Sequence, residues 1–590
     1  MMILQSLNDF YIRKCNAKDP KDRLPEFGVE LKEIPFIISI TTNGEFVELI
    51  DARWQDGKKK VGKKELVPQG VKRASNISAN LLWDTLEYAL GVDTRGKPER
   101  VAEQHAAFIK RINGLSAEAL KNEGAQAVLK FLANNPIERM ESHSLWPEMV
   151  ENNPVITFKI KGELGLICQA PEIVRAVVNT DSDTEENPVA MCLITGKKAP
   201  VQRLHTSIKG VWGAQTSGAN IVSFNARAFE SYGKTERQGE NAPVSEQAEF
   251  AYTTALNYLL DKNNRQRTQI GDASTVFWAD KKDDIETSIV DIFGEKSEDN
   301  PTAGIDKLKQ MYEAVQQGKW VNTDDDNRLH VLGLSPNAAR ISIRFYYCLT
   351  LRELAERVTS YFDDLKLRGG NFDPEFPSLF RLLTASALQG KADNIPPNLA
   401  GSIVQAIFSG PNSPFPTLWL NTTVNRCRAE QNVTYLRAAS IKACLNRQIR
   451  RQINLHEQEF QPMLDPNNKN VAYRLGRLFA VLEKIQYDAN PNLNSTIRDR
   501  YYNAASTTPV TVFTTLLRLK NAHLKQLTEN PKGWHEKNIG EIMSSIDDFP
   551  NHLTLSDQGR FALGYYHQRQ HFFTKNEQST TAKIITEGIE

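Results

Sequence analysis

The apolar residues of this chain follow one spacing up to about residue 335 and another beyond it. In the earlier part, short apolar runs typical of β-strands alternate with helical spacing. The predicted strands are Pro35–Ile40, Phe46–Leu49, Val155–Ile160, Leu164–Cys168, Ile221–Phe224 and Val276–Ala279. The first four are predicted to form two hairpins, across Gly44 and across Gly162. The predicted helices are Ala79–Gly91 and Ala248–Asp261.

Beyond Ser335 the pattern is almost wholly helical. The predicted helices are Pro336–Leu367, Pro377–Gln389, Leu399–Ser409, Thr423–Leu455, Thr508–Gln526 and Ser556–Phe573. One apolar face after the break Gln461–Asn470 is formed by Val471, Leu475, Leu478, Phe479, Leu482 and Ile485. The predicted fold class is therefore α+β. A mixed N-terminal region with short antiparallel strands and helices precedes an all-helical C-terminal region that ends in a helical bundle.

A chain of 590 residues is too long for one core. The changes of pattern predict three regions, 1–335, 336–462 and 463–590. The first is the α+β domain, the second a helical connecting region, and the third the bundle.

Charge and cysteine content limit the possible functions. There are 72 basic and 71 acidic residues, so nucleic-acid binding requires local basic patches rather than a global field. The six cysteines lie far apart without a CxxC pair, as is usual for a reducing compartment. With no apolar run of about 18 residues and no signal-peptide pattern, a cytoplasmic protein without membrane contact is predicted.

The segment Lys209–Gly233 has the composition of a binding loop. Gly210, Gly213 and Gly218 permit close backbone approach and positive φ. The side chains that donate and accept hydrogen bonds here include Gln215, Thr216, Ser217 and Asn220. None of them is a nucleophile without a neighbouring base, so the chemistry is that of recognition. A polar hairpin loop is the alternative.

Two further segments are strongly basic. Lys58, Lys59, Lys60, Lys63 and Lys64 are suited to phosphate contact, and Lys72, Arg73, Ser75 and Asn76 follow them. Arg73 and Asn76 have the planar groups that read base edges. A solvated loop followed by a capped helix is the alternative.

The second basic segment is Thr423–Leu455. Its cations include Arg437, Lys442, Arg447, Arg450 and Arg451, and Glu430 is almost the only acid. Because i,i+4 pairs cannot satisfy so many cations, the segment requires a polyanion or an acidic surface. Asp181–Glu186 and Asp324–Asp326 are the candidates for that surface within the chain.

Catalytic motifs are missing. Residues 228–235 fit a relaxed nucleotide-binding loop that ends in Lys234 and Thr235. Phe229 and Tyr232 fill positions that should be small, so ATP binding is not expected. Catalysis, a metal and a cofactor are not expected either.

The metal candidates are few. Asp181 with Asp183, and the acidic run Asp324–Asp326, are expected to be solvated rather than to hold Mg²⁺. Cys192 and His205 supply only two of the ligands that a zinc site needs.

Four segments resemble one known family, the large subunit of the type I-C CRISPR Cascade surveillance complex. They are Met2–Lys14, Val67–Val92, Asn179–Gly210 and Tyr473–Gln486. They extend along nearly the whole chain, which makes a chance local match improbable.

The resemblance implies a subunit of a guide-RNA complex that recognises a short protospacer-adjacent motif in double-stranded DNA. It implies that the subunit promotes R-loop formation and supports the displaced strand, while guide pairing reads the rest of the target. Implied partners are the guide RNA, the target DNA, the backbone and guide-handling subunits, and a recruited helicase-nuclease that performs the catalysis.

On this interpretation, Lys58–Lys64 hold phosphates, and Gln215 is a candidate wedge at the first base step. The predicted DNA-binding residues are Lys58, Lys59, Lys60, Lys63, Lys64, Lys72, Arg73, Asn76, Lys209, Gln215, Thr216, Ser217 and Asn220. The family also implies a separate small helical subunit made by internal translation, for which Met463 is the candidate start. A P-loop ATPase or metal-dependent nuclease, and a generic RNA-binding scaffold, are the alternative functions.

Overall fold

The computed structural model describes residues 3–19, 22–57, 59–71, 73, 77–134, 137–180, 188–224, 227–229, 231, 239–293, 313, 327–451 and 457–587. The chain folds into two compact units. The first unit comprises Met2–Ser207 and Val222–Leu256, and the second comprises Ile208–Ile221 and Asn257–Glu590.

The first unit contains two small sheets and a hairpin. Its strands are β1 (Val29–Ile34), β2 (Phe36–Ile40), β3 (Phe46–Asp51), β4 (Arg53–Asp56), β5 (Lys59–Pro68), β6 (Trp83–Thr85), β7 (Val155–Ile160), β8 (Val189–Met191) and β9 (Lys198–Pro200). The strand orders are β1-β5-β4, β3-β2-β7-β6 and β8-β9. Only β2 and β7 run parallel, with Phe36 opposite Ile156, and every other pair among the described strands is antiparallel.

Short helices cover the central sheet of this unit. They are α1 (Ile3–Cys15), α2 (Leu86–Leu90), α3 (Pro98–Asn113), α4 (Ala117–Leu120), α5 (Glu123–Ala133), α6 (Ile137–Met140), α7 (Trp146–Asn152) and α8 (Pro171–Thr180). A further helix, α9 (Glu246–Leu259), begins in the first unit and ends in the second. Strand β2 is buried along its whole length. Phe158 packs against Phe108 and Phe131 with ring centroids 6.3 and 5.9 Å away, so α3 and α5 close the core over β7.

The second unit begins with a four-stranded antiparallel sheet. Its strands, in spatial order, are β10 (Arg267–Ile270), β11 (Ala273–Ala279), β12 (Arg328–Asn337) and β13 (Arg340–Thr350). Two short helices, α10 (Ile285–Ser288) and α11 (Val290–Phe293), follow β11. On one face, His330 stacks on Trp278 and lies 2.8 Å from a carboxylate oxygen of Asp280.

Ten helices complete the described part of the second unit. They are α12 (Leu351–Leu365), α13 (Leu379–Ser386), α14 (Leu399–Ser409), α15 (Thr417–Ala429), α16 (Tyr435–Arg451), α17 (Val471–Ala489), α18 (Ile497–Ala505), α19 (Pro509–Leu524), α20 (Glu529–Met543) and α21 (Leu555–Glu587). Helices α17 and α21 approach closely because glycines meet at the crossing. A Cβ on Gly476 would lie 2.0 Å from the Phe561 carbonyl oxygen, and one on Gly564 would lie 2.1 Å from that of Tyr473.

The predicted fold class is confirmed. About 49% of the chain is helical and about 16% is strand, with a mixed N-terminal region and a helical C-terminal region. The first predicted hairpin forms from β2 and β3. Leu399–Ser409 is helical as predicted, and Val276–Ala279 lies within β11.

Two strand predictions are wrong. Val155–Ile160 is a strand, but it pairs with β2 and β6 instead of Leu164–Cys168. Leu164 is exposed, and Ile167–Gln169 forms a 3-10 turn that buries Ile167 and Cys168 without strand pairing. Ile221–Phe224 is irregular.

Three helix predictions are wrong in part. In Pro336–Leu367, only Leu351–Leu365 is helical, because the alternating residues Arg340–Thr350 form β13. Of Ala79–Gly91, only Leu86–Leu90 is helical. Thr423–Leu455 corresponds to parts of two helices, α15 and α16, separated near Gln431, whose φ is 45°.

The predicted boundary at residue 335 lies inside β12, whereas the one at residue 462 lies in a loop. One apolar core in the second unit contains residues from Ile270 to Phe572, so it extends across both predicted boundaries.

Candidate nucleic-acid interface

The first candidate surface is a β-ribbon in the first unit, formed by β4 and β5 and called here the basic ribbon. Lys60, Lys63 and Lys64 are exposed on it. Lys63 forms an ion pair with Glu65 at 2.6 Å while its side chain stays 68% exposed. Lys59 begins β5, and Lys58 lies outside the described residues.

Arg73, predicted to read base edges, is held within the first unit instead. Its guanidinium forms a bidentate ion pair with the Asp84 carboxylate, with one N–O distance of 3.0 Å. It also stacks over the Tyr88 ring at 3.9 Å and donates to the Ser78 carbonyl. Asp84 is 1% exposed, so Arg73 neutralises a buried carboxylate. Lys72, Ser75 and Asn76 lie outside the described residues.

The second candidate surface is the loop Lys209–Asn220 of the second unit, called here the glycine-amide loop. Paired backbone hydrogen bonds between Ile208 and Ala219, at 2.8 and 2.9 Å, close its base. The Lys209 N–H donates to the Asn257 side chain at 2.7 Å, and the Trp212 N–H donates to Ser274 Oγ at 2.9 Å. The backbone of the loop is therefore fixed to α9 and β11.

Glycine is required at one of these positions. Gly210 has a φ of 85°, and a Cβ there would lie 2.5 Å from the Leu260 carbonyl oxygen. A tight turn follows, in which the Gly218 N–H donates to the Gln215 carbonyl at 2.9 Å.

The side chains of the loop are presented outward. Gln215, Thr216 and Ser217 are exposed, and Trp212 is 63% exposed. Lys209 is also exposed, whereas Asn220 is half-buried and bridges to β13 through its backbone. A fixed backbone with exposed amide and hydroxyl groups has the chemistry for reading base edges.

Most cations of the second basic segment are used inside the second unit. Arg447 is fully buried and donates to Asp364 at 2.7 Å and to the carbonyls of Ala406, Gly410 and Ser413. Arg450 contacts Asp364 at 2.7 Å. Together these bonds join α16 to α12 and to the loop after α14.

Arg437 and Lys442 are also buried. Arg437 pairs with Glu430 and donates to the Ala385 carbonyl at 2.8 Å. Lys442 donates to the carbonyls of Asp363 and Asp364 at 3.1 and 3.0 Å.

Of the two interpretations of the segment Thr423–Leu455, a polyanion ligand or acidic groups within the chain, this arrangement corresponds to the second. The acids are Asp364, Glu430 and Glu459, while Asp181–Glu186 and Asp324–Asp326 lie outside the described residues. Of the five predicted cations, Arg451 alone is exposed, so α16 offers little cationic surface to DNA.

The other candidate sites gain no support. Cys192 Sγ accepts a hydrogen bond from the Ser245 N–H, while His205 bonds to the Tyr252 hydroxyl. Among the described residues, no group of three or more potential ligands could hold a metal. The predicted nucleotide loop falls mostly outside the described residues. None of the described helices has both the length and the apolar character needed to cross a bilayer.

Sequence reasoning missed the Asp280–His330–Tyr346 chain of hydrogen bonds, in which His330 lies 2.9 Å from the Tyr346 hydroxyl. These residues lie on or just after three different strands, so only the register of the sheet brings them together. His330 is fully buried, and the chain of bonds joins the strands.

The chain matches the model of one protein family over residues 7–573, the CRISPR-associated protein family Cas_Csd1. It therefore belongs to that family, in agreement with the predicted resemblance to the type I-C large subunit. It is a CRISPR-associated subunit of the Cascade type. No curated protein matches the chain.

Asp364 is expected to be essential for the stability of the second unit. Replacing it with Asn removes the negative charge facing Arg447 and Arg450 and leaves a buried guanidinium uncompensated. The expected loss is about 3–5 kcal/mol in the free energy of unfolding, measured by urea denaturation. Asp393→Asn, at an exposed position, is the control and should cost little. A loss of under about 1 kcal/mol for Asp364→Asn would contradict the structural role.

Lys442 gives the second unit a distinct pH dependence. Burial lowers the pKa of its ammonium to about 8, from an ordinary value of 10.5. The unfolded chain therefore binds the proton more strongly than the folded one. The resulting penalty is fully present below about pH 8 and is relieved as the pH rises toward 10.5.

Comparison with Lys442→Met isolates the pH-dependent part of the stability. The variant also loses the two hydrogen bonds of Lys442, but that loss is the same at every pH. Between about pH 7.5 and about pH 9.5, wild type should gain about 2 kcal/mol of unfolding free energy relative to the variant. Urea titrations at both pH values measure it, with Lys391→Met as an exposed control. An unchanged difference would show that Lys442 has an ordinary pKa.

Proposed function

We propose that this subunit binds target double-stranded DNA at the protospacer-adjacent motif, promotes R-loop formation and stabilises the displaced strand. Guide pairing then reads the remainder of the target. The subunit works with the guide RNA, the backbone subunits and the guide-handling subunits, and it supports recruitment of a separate helicase-nuclease. It acts by binding rather than as an enzyme.

The observation that carries this proposal is the fixed backbone of the glycine-amide loop. Reading a base edge requires hydrogen-bonding groups whose positions do not change when the wrong base is offered. The bonds to Asn257 and Ser274 fix the backbone of the loop at Lys209 and Trp212, while Gln215 and Thr216 are exposed to solvent. A loop of this kind discriminates at little cost in conformational entropy.

The basic ribbon supplies the complementary contact. Its exposed lysines are point charges on flexible stems, which bind phosphates without reading sequence. The two surfaces therefore have separate roles, with affinity from the ribbon and discrimination from the loop.

We also propose that the C-terminal bundle is made separately, from a start at or near Met463. Met463 is exposed in the loop before α17, and α17 packs against α21 through the paired glycines. In the full chain, Gly559 of α21 lies against Leu420 and Ile441. A separate bundle would expose its side of this contact, so another subunit would have to cover it.

The separate roles of ribbon and loop can be tested by substitution. Replacing Lys60, Lys63 and Lys64 with Ala should weaken binding to every duplex, and the salt slope should fall by roughly 0.9 for each phosphate that the variant no longer neutralises. Gln215→Ala or Thr216→Ala should weaken binding by roughly 1–3 kcal/mol, mainly on duplexes that carry the correct motif. Fluorescence anisotropy on matched and motif-scrambled duplexes, over a range of salt, measures both effects.

Each control variant has the same change in charge and composition as the variant with which it is compared. Lys97, Lys121 and Lys130, exposed in the same unit as the ribbon, are replaced together by Ala. Gln405→Ala removes an exposed glutamine of the second unit. Equal losses on matched and scrambled duplexes for the loop variants would remove the reading role of the loop.

A separately made bundle predicts a specific fragment. Mass spectrometry of the complex expressed from the native gene should detect a polypeptide that begins at or near Met463. Silent recoding of the sequence upstream of that codon, to weaken internal initiation, should remove it and reduce target binding. The absence of such a fragment, with binding unchanged after recoding, would refute this part of the proposal.

A further inference from the structure

Trp54 is an exposed tryptophan on the basic ribbon. It lies on β4 opposite Val61 of β5, and its side chain is 57% exposed. Tryptophan is usually mostly buried, because its ring is the largest apolar surface of any side chain. An exposed ring on a regular strand therefore requires an explanation.

The neighbouring residue fixes the direction of this ring. Arg53 pairs with Asp51 and Glu148, and its guanidinium lies 4.4 Å from the centre of the Phe36 ring. Its side chain is only 9% exposed. Since successive residues of a strand point to opposite faces, anchoring Arg53 inward directs Trp54 outward.

The opposite strand enforces the same arrangement. Gly62 pairs with Arg53, and a Cβ at Gly62 would lie 2.7 Å from the Pro35 nitrogen and 2.8 Å from the Ile34 carbonyl carbon. The ribbon is therefore pressed against the backbone at the junction of β1 and β2. Trp54 cannot turn inward without breaking this contact and the Arg53 pairs.

The sequence of the ribbon is strongly basic. Between residues 54 and 65 there are five lysines and only two acids, Asp56 and Glu65. Lys63 lies on the same face as Trp54, two residues from Val61, whereas Lys60 and Lys64 lie on the face of Arg53. The exposed ion pair of Lys63 with Glu65 is weak enough for a phosphate to replace it. Lysine is depleted at protein–protein interfaces, so this surface is better suited to a polyanion than to a protein.

We propose that Trp54 stacks on an unpaired base of a single-stranded nucleic acid while Lys63, on the same face of the ribbon, contacts a flanking phosphate. Every base has a π-face, so the contact is tolerant of sequence. In a continuous duplex the base faces are covered by their neighbours, so the ligand is a single strand. This inference rests on the proposed function, within which the displaced DNA strand is the ligand.

The test uses the assembled complex containing the full chain and a fluorescent single-stranded DNA. Trp54→Ala should weaken binding by roughly 5- to 150-fold, the range expected for one stacked base. Trp54→Phe should retain most of the affinity, because phenylalanine can still stack. Phe372→Ala, which removes a fully exposed aromatic ring outside the ribbon, is the control and should change nothing.

An abasic strand separates stacking from phosphate contact. With the same backbone but no bases, wild type and Trp54→Ala should bind equally, while Lys63→Ala should still weaken binding. The proposal is overturned if Trp54→Ala and Phe372→Ala bind DNA equally well, or if Trp54→Ala weakens abasic and normal strands alike. It is also overturned if Trp54→Ala instead releases the chain from the other subunits, since Trp54 would then be a protein contact.

A parallel measurement distinguishes failure of this proposal from failure of the proposed function. If wild type discriminates matched from scrambled duplexes but Trp54→Ala binds single strands normally, only the stacking role is refuted. If wild type shows no discrimination, the proposed function itself fails.

Discussion

The buried carboxylate of Asp364 is the group on which the helical part of the second unit depends. It faces two guanidiniums, those of Arg447 and Arg450, and it lies in a core where an unpaired charge would be very costly. Through these bonds α12, α16 and the loop after α14 form one packed body. Since burial consumes most of the cations of α16, this basic helix is part of the core and offers little cationic surface.

The exposed groups to which the proposed function assigns DNA contacts lie on two supports. The ribbon is pressed onto its own unit by Gly62 and Arg53, and the glycine-amide loop is tied to α9 and β11 by backbone hydrogen bonds. Rigid presentation matters for DNA binding, because a base edge is read by geometry while phosphates are held by charge. In the proposed function, both requirements are assigned to the ribbon and the loop rather than to a long basic helix.

Local sequence patterns predict much of this fold but cannot identify distant partners. The α+β class and the β2–β3 hairpin follow from spacing over a few residues. The β12–β13 hairpin is not visible in the sequence pattern, because Arg340–Thr350 runs directly into a helix. The turn of this hairpin also holds Ala338 at a φ of 51°, and alanine is unusual at positive φ. Parallel pairing of β2 with β7 joins residues about 120 positions apart, which no local pattern reveals.

The same limit applies to the candidate site. The glycines and amides of the loop are contiguous, so composition alone predicts a recognition loop, with a polar hairpin loop as the alternative. The role of Arg73 depends on Asp84 and Tyr88, and that of Arg447 depends on Asp364, 83 residues earlier in the chain. The sequence shows where the cationic residues are, but the tertiary structure decides which of them remain exposed.

The most direct test of the central claim is selection from target duplexes randomised only in the few base pairs beside the guide-matched sequence. The assembled complex is compared with the same complex lacking this subunit. If the subunit reads the motif, the complete complex should enrich one short sequence by roughly tenfold or more, and the incomplete complex should enrich none. Uniform recovery by both complexes, or the same enrichment without the subunit, would contradict the account.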